Sequence, residues 1–586
     1  MRQWMVAAKK ADFYAIAEKF HVDPVVARII RNREVIGEKN IRIYLGGNLS
    51  DLSDPHQMKD MDRLVEILAQ KIRKQVHIRI IGDYDVDGVT SSHLFLTALR
   101  RVGAKVDVVI PHRIQDGYGL SLHLLQQAKE DGVDTILTCD NGIAAIDEIA
   151  WAKAQKMTVL VTDHHAVPFE EHEGRRTEKK SLADAVVNPH QQDCGYPYKE
   201  LCGAGVAWNV IRVLYENYDM DKREAEDLLD FVAMATVCDV MSLTGENRIL
   251  VKEGLKRIRH TKNIGLQALM QACNVQPENI SAYHFGYVLG PCVNATGRLD
   301  TARHALRLFE TGQETEAEEI ARDLVDLNQE RKELTLQGVE MAKKLCEEGG
   351  YENDPVLVLF LPDVHESIAG LIAGRIREMY NRPVFVLTRG EEGVKGSGRS
   401  TENYSMYENM CGCAELFTKF GGHPMAAGLS LPEENVEKFR RKINENCPLT
   451  VEEVCSDIHI DMAMPVGYAS TELVHQFALL EPFGKDNPSP LFADRNLSIS
   501  RMWLIGKNRN VLRMSVLSEY GQPVPVIFFG DVETLFAYFT EKFGQEEVEN
   551  ALHGRKNRIL FSMVYTAKID FYQGNENLQL EMKYYR

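Results

Sequence analysis

The stretch from His77 to Val102, HIRIIGDYDVDGVTSSHLFLTALRRV, joins an apolar run to a helical pattern through a loop that contains three acids. HIRII resembles a buried strand, and TSSHLFLTALRRV has apolar residues at helical spacing. Between them, Asp83, Asp85 and Asp87 occupy alternate positions before a glycine. A strand, an acidic turn and a helix in this order predict the start of a parallel α/β sheet with a charged site at its edge.

The pattern D-x-D-x-D-G also begins the calcium-binding loop of an EF-hand. That loop needs a Glu at its twelfth position, and the twelfth residue counted from Asp83 is Leu94. An EF-hand loop also follows a helix, whereas these acids follow a strand pattern. The sequence therefore disfavours calcium, although three carboxylates so close together repel each other and need some cation among them.

Length and composition are those of an ordinary globular protein of three or four domains, with 586 residues, 44% hydrophobic and 26% charged. No apolar run approaches a membrane helix, and we expect no secretion signal. The eleven cysteines are scattered without a CxxC pair, which favours a reducing, cytoplasmic location over disulfides or structural zinc. The net charge of -17 argues against a protein that coats duplex DNA, but it is compatible with a nucleic acid held in one local channel.

Acids and histidines recur where further strand patterns end. Four more β-branched runs alternate with helical patterns up to about residue 190, namely KVDVVIP (105–111), TILTCD (135–140), TVLVTD (158–163) and ADAVVNP (183–189). Asp140 ends one of them, and Asp163, His164 and His165 follow another. A single Asp at such a position is usually a turn residue or a helix cap. Several at matched positions favour a ligand site at the carboxyl edge of the sheet.

The residue types at this edge favour hard or borderline divalent ions. Several carboxylates and one imidazole without a thiolate suit Mn²⁺ or Mg²⁺ better than structural zinc. Two such ions bridged by a shared carboxylate can activate a water and neutralise the charge that grows on a phosphate. The pattern therefore predicts phosphoester hydrolysis.

The rest of the chain predicts three further regions. Residues 314–348 have apolar residues at helical spacing and no proline, which predicts one long helix, either a connector between domains or a solvated helix packed on one side. Strand patterns at 356–360 and 383–388 around a helix at 367–380 predict a second α/β unit. Beyond about residue 450, short strand patterns are typical of a small β-barrel or sandwich.

Four motifs resemble, in order, the signature motifs of the DHH phosphoesterase superfamily, namely DYDVDG (83–88), DNG (140–142), DHH (163–165) and ATVCDV (235–240). Three more resemble the domain associated with one branch of it, namely HESIAGLIAGR (365–375), GSGRS (396–400) and GGHPMAAG (421–428). Four others resemble the branch that degrades single-stranded DNA, namely PHRIQDGYGL (111–120), LCGAGVAW (201–208), NATGR (294–298) and EPFGKDNPSPLF (481–492). The resemblance covers nearly the whole chain from about residue 75 onward.

The resemblance implies an α/β multidomain protein. Its parts would be an N-terminal lead-in (1–70), a parallel-sheet DHH catalytic domain (71–310), a connector helix (311–350), a smaller α/β DHH-associated substrate-binding domain (351–450) and an OB-fold β-barrel that binds nucleic acid (451–586). The implied activity is 5′-to-3′ hydrolysis of single-stranded DNA to mononucleotides with two divalent ions, Mn²⁺ or Mg²⁺, in DNA repair and recombination. The implied partners are a helicase and a single-strand-binding protein, and a monomer is the default expectation.

The resemblance also implies roles for individual residues. The metal ligands would be Asp83, Asp85, Asp87, Asp140, His164 and Asp239, with Asp140 as the bridge and Asp83 either a ligand or a partner of one. His165 would face the scissile phosphate as an electrophilic stabiliser or an acid. The DNA- and phosphate-binding set would be Arg113, Tyr118, Asn294, Arg298, Ser397, Arg399, Gly421, Gly422 and His423. Taken singly, these arginines and glycines are equally consistent with ordinary surface or turn residues, and Tyr118 with a packed aromatic residue.

Two other functions are compatible with parts of the pattern. A DHH phosphoesterase of short oligoribonucleotides or cyclic dinucleotides would share the motifs, but such enzymes are generally shorter and lack a β-rich C-terminal domain. A non-enzymatic scaffold of this fold would have lost its ligands, and here the acids and both histidines of all four motifs are present.

Overall fold

The computed structural model describes residues 3–113, 116, 119–172, 175–299, 301–390, 393–506, 509–572 and 574–586. They divide into two compact units. Residues 49–456 form one, which we call the central unit, and residues 3–48 together with 457–586 form the other, the terminal unit. Among the described helices, none is long and apolar enough to cross a membrane.

The N-terminal residues are mostly helical. They form β1 (Trp4–Val6), α1 (Phe13–Phe20), α2 (Pro24–Asn32) and α3 (Glu38–Gly46). Asp12 and Asp23 cap the first two helices by accepting hydrogen bonds from backbone N–H groups. Val26 and Ile30 of α2 are fully buried in a core shared with residues beyond 460. This shared core explains why these helices belong to the terminal unit.

The central unit begins with a five-stranded parallel sheet. The elements up to residue 187 are α4 (Met61–Arg73), β2 (His77–Ile81), α5 (Val86–Arg101), β3 (Lys105–Val109), α6 (Leu122–Glu130), β4 (Thr135–Cys139), α7 (Ile146–Ala154), β5 (Thr158–Thr162), β6 (Phe169–His172), β7 (Arg175–Glu178) and β8 (Ala185–Val187). The sheet order is β3-β2-β4-β5-β8, and β6 and β7 form a separate hairpin. All five β-branched runs are strands of this sheet, so the predicted parallel α/β fold is confirmed.

The strand order creates a crevice between β2 and β4. The chain leaves β2 for β3 on one side, and it leaves β4 for β5 on the other side. At such a switch point, the loops after the two adjacent strands diverge and leave room for a ligand. Asp83 and Asp85 after β2, Asp87 in the first turn of α5 and Asp140 after β4 lie at this crevice.

Helices cover this sheet and complete its core. They are α8 (Gly203–Asn217), α9 (Arg223–Glu226), α10 (Leu229–Cys238), α11 (Gly245–Ile258), α12 (Ile264–Ala272), α13 (Ala282–His284), α14 (Gly290–Leu299) and α15 (Ala302–Glu310). A π-helical turn, Phe285–Leu289, joins α13 to α14. α10 ends immediately before Asp239, which is how the fourth motif reaches the crevice.

Helix α16 (Glu314–Glu348) is 35 residues long and spans two hydrophobic cores. Ala317 and Leu324 pack in the core of the parallel sheet, whereas Val339 and Ala342 pack in the core of the region that follows. The interpretation as a connector helix is therefore confirmed over residues 314–348.

The second α/β region of the central unit is a mixed five-stranded sheet. Its elements are β9 (Leu357–Phe360), α17 (Ala369–Tyr380), β10 (Val384–Gly390), β11 (Gly393–Arg399), α18 (Met406–Cys411), β12 (Lys419–His423), β13 (Ala426–Leu431) and α19 (Val436–Glu445). The order is β12-β13-β11-β10-β9, with only β9 and β10 parallel. GSGRS lies mainly on β11, and GGHPMAAG runs from β12 through the turn into β13, which pairs with β11.

The C-terminal part of the terminal unit is built around long, mostly antiparallel strands. The elements are β14 (Ile458–Ile460), β15 (Met462–Ala463), α20 (Thr471–Phe477), β16 (Phe492–Ile505), β17 (Val511–Leu517), β18 (Pro523–Phe528), α21 (Val532–Phe543), α22 (Gln545–Leu552), β19 (Leu560–Tyr572) and β20 (Asn575–Tyr585). The order is β15-β16-β17-β18-β20-β19, and β16 also pairs with β19. The sequence patterns did not predict α21 and α22. α21 buries Val532, Leu535 and Phe539 at helical spacing, in a pattern of only three turns.

Candidate metal centre and phosphate cavity

The acids after β2 and β4 meet residues from two later segments in the crevice. Asp83, Asp85 and Asp140 offer carboxylate oxygens that lie within 4.8 Å of one another. Ligand atoms of Asp87, His164 and Asp239 satisfy the same limit. Asp140 connects the two groups, because its Oδ1 lies 3.0 Å from His164 Nε2. The structure thus brings all six predicted ligands together.

The N-termini of two helices bind two acids of the first motif, Asp85 and Asp87. Asp85 caps α5, and its Oδ1 accepts a hydrogen bond of 3.0 Å from the Gly88 N–H. Asp87 lies at the N-terminus of α8, where the Gly203 and Ala204 N–H groups donate to its two oxygens at 2.6 and 2.7 Å. A helix N-terminus stabilises a carboxylate through its unpaired N–H groups and its dipole. These two hydrogen bonds therefore fix the orientation of the Asp87 carboxylate.

Asp140 adopts a backbone conformation that is uncommon for a residue with a side chain. Its φ is 62°, in the left-handed region. The N-terminus of α8 approaches so closely that a Cβ on Gly203 would lie 2.6 Å from Asp140 Cβ. A conformation of this kind persists only where the surrounding structure holds it, and such positions cluster at functional sites.

The electrostatics of the cluster fit divalent cations. Burial and the nearby carboxylates raise the pKa of Asp83, Asp85 and Asp140. Asp83 Oδ1 is buried without a hydrogen-bond partner in the described part of the chain, and His164 Nε2 is buried among oxygens of Asp87, Asp140 and Asp239. Carboxylate oxygens together with one imidazole nitrogen are suitable ligands for Mn²⁺ and Mg²⁺. The residues therefore fit metal ions that would neutralise this buried negative charge.

Asp163 is the residue to which the sequence assigned no role, and it holds His165. Its Oδ1 accepts from His165 Nδ1 at 2.7 Å, and its Oδ2 accepts from the Ile143 N–H at 2.8 Å. Burial alone would raise the pKa of Asp163, but the hydrogen bond and positive charge of His165 lower it. Burial opposes the charge on His165, yet the same hydrogen bond raises the pKa of that imidazole to about 9. His165 is thus a positioned cation that is 40% exposed.

A cavity of about 400 Å³ adjoins the first motif. Tyr84, which lies between two of the acids in the sequence, lines it together with Arg113. The second α/β region contributes residues from β11, β12 and β13, including Lys395, Ser397, Lys419 and Gly421. The cavity wall therefore combines small or glycine residues with cations, of which Lys395 pairs with Glu366 at 2.8 Å, and such a wall suits a phosphate.

Three arginines of the predicted set share one positive region. The Arg113 guanidinium lies 5.0 Å from the centre of the Tyr84 ring, and Arg298 donates to the Ser367 carbonyl at 2.7 Å. Burial and the charges of Arg113, Arg331 and Arg399 lower the pKa of Arg298 to about 10. Within the described residues, Arg113, Arg298 and Arg399 form no ion pair with a carboxylate. An anionic group such as a DNA phosphate would relieve this repulsion.

Asn294 is not among the residues that line the cavity, and it contacts the first motif. Its Oδ1 accepts a hydrogen bond of 3.2 Å from the Val86 N–H, which ties α14 to the first turn of α5. Arg298 lies one turn further along α14, so the same helix positions both residues.

Gly421, Gly422 and His423 of the predicted DNA- and phosphate-binding set lie at or near the end of β12. Gly421 lines the cavity, and a Cβ there would have no neighbour within 4 Å. A Cβ on Gly422 would lie 2.5 Å from the Ala426 carbonyl oxygen, so only glycine fits the hairpin. His423 is exposed at the end of the strand and is not among the residues that line the cavity. Tyr118 lies outside the described residues.

Three family models match the chain. The DHH family N-terminal domain matches residues 77–236, the DHHA1 domain matches residues 353–447, and the RecJ OB domain matches residues 460–584. Together they account for the parallel sheet, the second α/β region and the β-rich C-terminal part.

Individual relatives match over most of the chain. It is 32% identical to the single-stranded-DNA-specific exonuclease RecJ of Haemophilus influenzae in an alignment of 582 positions that covers 96% of each protein. It is 32% identical to the RecJ of Bacillus subtilis over 512 residues, which cover 87% of this chain and 63% of that protein.

Solved structures of RecJ proteins are also similar to this chain. A structure of exonuclease RecJ bound to manganese is 32% identical, with a TM-score of 0.56, over 66% of this chain and 94% of that one. RecJ from Thermus thermophilus in complex with Mn²⁺ has a TM-score of 0.79 over all of this chain and 79% of its own, at 24% identity, and this likeness shows the fold. The chain therefore belongs to the RecJ family, whose named relatives are single-stranded-DNA-specific exonucleases.

Proposed function

We propose that this protein is a metal-dependent exonuclease that degrades single-stranded DNA from the 5′ end and releases mononucleotides. The observation that carries the proposal is the convergence of six metal-ligand candidates from four motifs, beside a cavity lined by cations. The relatives named as single-stranded-DNA-specific exonucleases support the choice of substrate. The 5′-to-3′ direction rests on the resemblance of the motifs alone.

The metal ligands would be Asp83, Asp85, Asp87, Asp140, His164 and Asp239, with Asp140 shared because it connects both groups of ligand atoms. When bound, two Mn²⁺ or Mg²⁺ ions would activate a water and neutralise charge on the phosphate that is attacked. The relative solved with manganese supports the choice of metal.

The protein's own side chains would orient the strand. Because Asp163 holds Nδ1 of His165, that imidazole would donate to a phosphate oxygen through Nε2. Arg113, Arg298 and Arg399 would bind backbone phosphates, which they can do bidentately. Ser397 and the backbone of Gly421, both in the cavity wall, would hold the 5′ end.

We also propose the wider setting of the reaction. The protein would act in DNA repair and recombination as a monomer, with a helicase that unwinds duplexes and a single-strand-binding protein that presents the product. A reducing, cytoplasmic location is supported by the eleven cysteines, all of which are free.

The function is tested with purified protein, Mn²⁺ and single strands labelled at one end. We expect a 5′ label to appear in mononucleotides at the earliest times, a 3′ label to remain on progressively shorter strands, and a duplex control to persist. Chelation of the metal should abolish cleavage. Hydrolysis of dinucleotides or cyclic dinucleotides alone would favour the small-substrate phosphoesterase, and no metal-dependent hydrolysis would rule out both activities.

The bridging role is tested with Asp140→Ala. We expect turnover to fall by at least about 10²-fold, because the shared ligand is lost, and Mn²⁺ affinity to fall in a direct titration. Near-normal turnover of this variant would show that Asp140 is not the bridge. Asp134→Ala is a matched control, since Asp134 lies on the same chain segment and pairs with Lys71 instead.

A further inference from the structure

Two exposed tyrosines stack on each other in the central unit. Tyr283 is 61% exposed and Tyr287 is 71% exposed. Their ring centres lie 5.1 Å apart, and the ring planes differ by 23°. Burying one aromatic side chain is worth about 1.5–3 kcal/mol, so a ligand that covered both rings would gain from the contact.

The backbone presents this pair on a firmly held turn. Tyr283 lies in α13, and Tyr287 lies four residues later in the π-helical turn, so both rings lie on one face of the helix. Phe285 and Leu289 of the same turn are fully buried and anchor it in the core. Single π-helical turns occur frequently at functional sites.

The tyrosine turn is continuous with the candidate site. Cys238 Sγ donates to the Phe285 carbonyl at 3.3 Å, and a Cβ on Gly290 would lie 2.3 Å from the same sulfur. Cys238 immediately precedes Asp239, so the turn packs against the segment that supplies a metal ligand. At its other end, the same helical run contains Asn294 and Arg298.

We propose that Tyr283 and Tyr287 form a stacking platform for nucleobases of the single strand, on the 3′ side of the cleaved bond. The inference rests on the proposed function and adds a base-binding site to the predicted phosphate contacts. Every base has a π-face, so stacking binds a strand without reading its sequence, as a general exonuclease requires. The 3′ side follows because the cavity formed with the second α/β region would hold the 5′ end.

The test combines protein variants with DNA from which bases are missing. The double variant Tyr283→Ala/Tyr287→Ala and the wild type are given a single strand with all bases, and strands with a pair of abasic sites at successive positions from the 5′ end. Binding is measured by fluorescence anisotropy in the presence of chelator, which prevents cleavage. Turnover of a dinucleotide, which offers only one base beyond the cleaved bond, is measured separately with Mn²⁺.

We expect the alanine variant to bind the complete strand about tenfold more weakly, because a base stacked on an aromatic residue contributes about 1–3 kcal/mol. Abasic sites at one position should weaken binding by the wild type by a similar factor. The same strand should bind the alanine variant about as well as the complete strand does. Dinucleotide turnover should be unchanged. Tyr283→Phe/Tyr287→Phe should behave as the wild type, as should Leu336→Ala, a control for loss of an exposed apolar residue elsewhere in the central unit.

Failure of the platform and failure of the proposed function give different results. If the wild type degrades single strands but the alanine variant binds every strand equally well, the platform does not exist. If the alanine substitutions weaken binding by the same factor for the complete strand and for every strand with abasic sites, the tyrosines do not act by stacking on bases. If the wild type fails to degrade single strands with Mn²⁺, the proposed exonuclease function itself is wrong.

Discussion

At the scale of single residues, the candidate site depends on an acid that is not a predicted ligand. Asp163 receives hydrogen bonds from the imidazole of His165 and from the Ile143 N–H, which fix the carboxylate on both of its oxygens. It is therefore a positioning residue, and the imidazole is the group that would meet the substrate.

Asp163→Asn should lower kcat for single-stranded DNA by about 10²-fold, because an amide cannot accept all of these hydrogen bonds and His165 loses its orientation. KM should change little. If the residue acts through His165, the variant Asp163→Asn/His165→Ala should be no slower than His165→Ala alone. Losses that multiply in the double variant would show that Asp163 has an independent role.

The sequence could identify the ligands but not this support. All six ligand positions came from motif resemblance, and the structure brings them together. Asp163 was visible as an acid at a strand end, yet the Ile143 N–H that fixes it lies 20 residues away and faces it only in the folded sheet. The sequence also could not predict the left-handed backbone of Asp140, since Asp adopts this conformation only occasionally.

A second residue-scale prediction concerns His93, which is buried beside Phe231 with ring centres 4.5 Å apart. Burial, with a smaller contribution from Arg100, lowers the pKa of His93 to about 3. The unfolded chain therefore binds this proton first, and stability is lost as the pH falls from about 6.5 towards 3. Between pH 7 and 5, His93 should account for a loss of about 2 kcal/mol.

Urea unfolding of the wild type and of His93→Leu at both pH values measures that difference. We expect the variant to lose less stability than the wild type between pH 7 and 5. An equal loss in both proteins would mean that His93 is protonated in the folded state or does not titrate in this range.

At the scale of elements, helix α8 is as important to the site as the strands. Its first two N–H groups bind Asp87, which lies 116 and 117 residues earlier in the chain. The motif LCGAGVAW was recognised from the sequence, but a contact over such a separation depends on the tertiary fold. The physical reason for its first glycine is the close approach to Asp140.

Gly203→Ala should displace the N-terminus of α8, because the new Cβ would lie 2.6 Å from Asp140 Cβ. We expect a loss of about 1–3 kcal/mol in stability and a marked loss of Mn²⁺ affinity and turnover. Gly205→Ala is the matched control on the same helix, since its Cβ would meet nothing closer than 3.4 Å. Equal behaviour of the two variants would show that α8 does not position the metal ligands.

At the scale of the whole molecule, the central unit contains the complete candidate site. All six ligand candidates and the cavity lie within residues 49–456, which have their own hydrophobic cores. Nothing in residues 3–48 indicated that they join residues 457–586, because their helical pattern fits any apolar partner surface. Strand patterns predicted most of the β-rich C-terminal part. Its helices α21 and α22 are short, and their patterns identify a helix only once the surface on which they pack is known.

A fragment of residues 49–456 should therefore fold and hydrolyse dinucleotides with a kcat within a few-fold of the full chain. It should bind a long single strand more weakly, because the RecJ OB domain match lies at residues 460–584. Circular dichroism, dinucleotide turnover and anisotropy with a long strand measure the three properties. A soluble, folded fragment without dinucleotide turnover would show that the site needs the terminal unit.

The division of the chain also sets an order of events during synthesis. The ribosome makes residues 3–48 before the central unit, but their core partners lie beyond residue 460 and emerge after it. The central unit can complete its fold while the apolar faces of α1, α2 and α3 are still exposed. Once residue 456 has left the ribosome, the nascent chain would thus already contain all six ligand candidates and the cavity residues, together with an N-terminal segment that a chaperone can recognise.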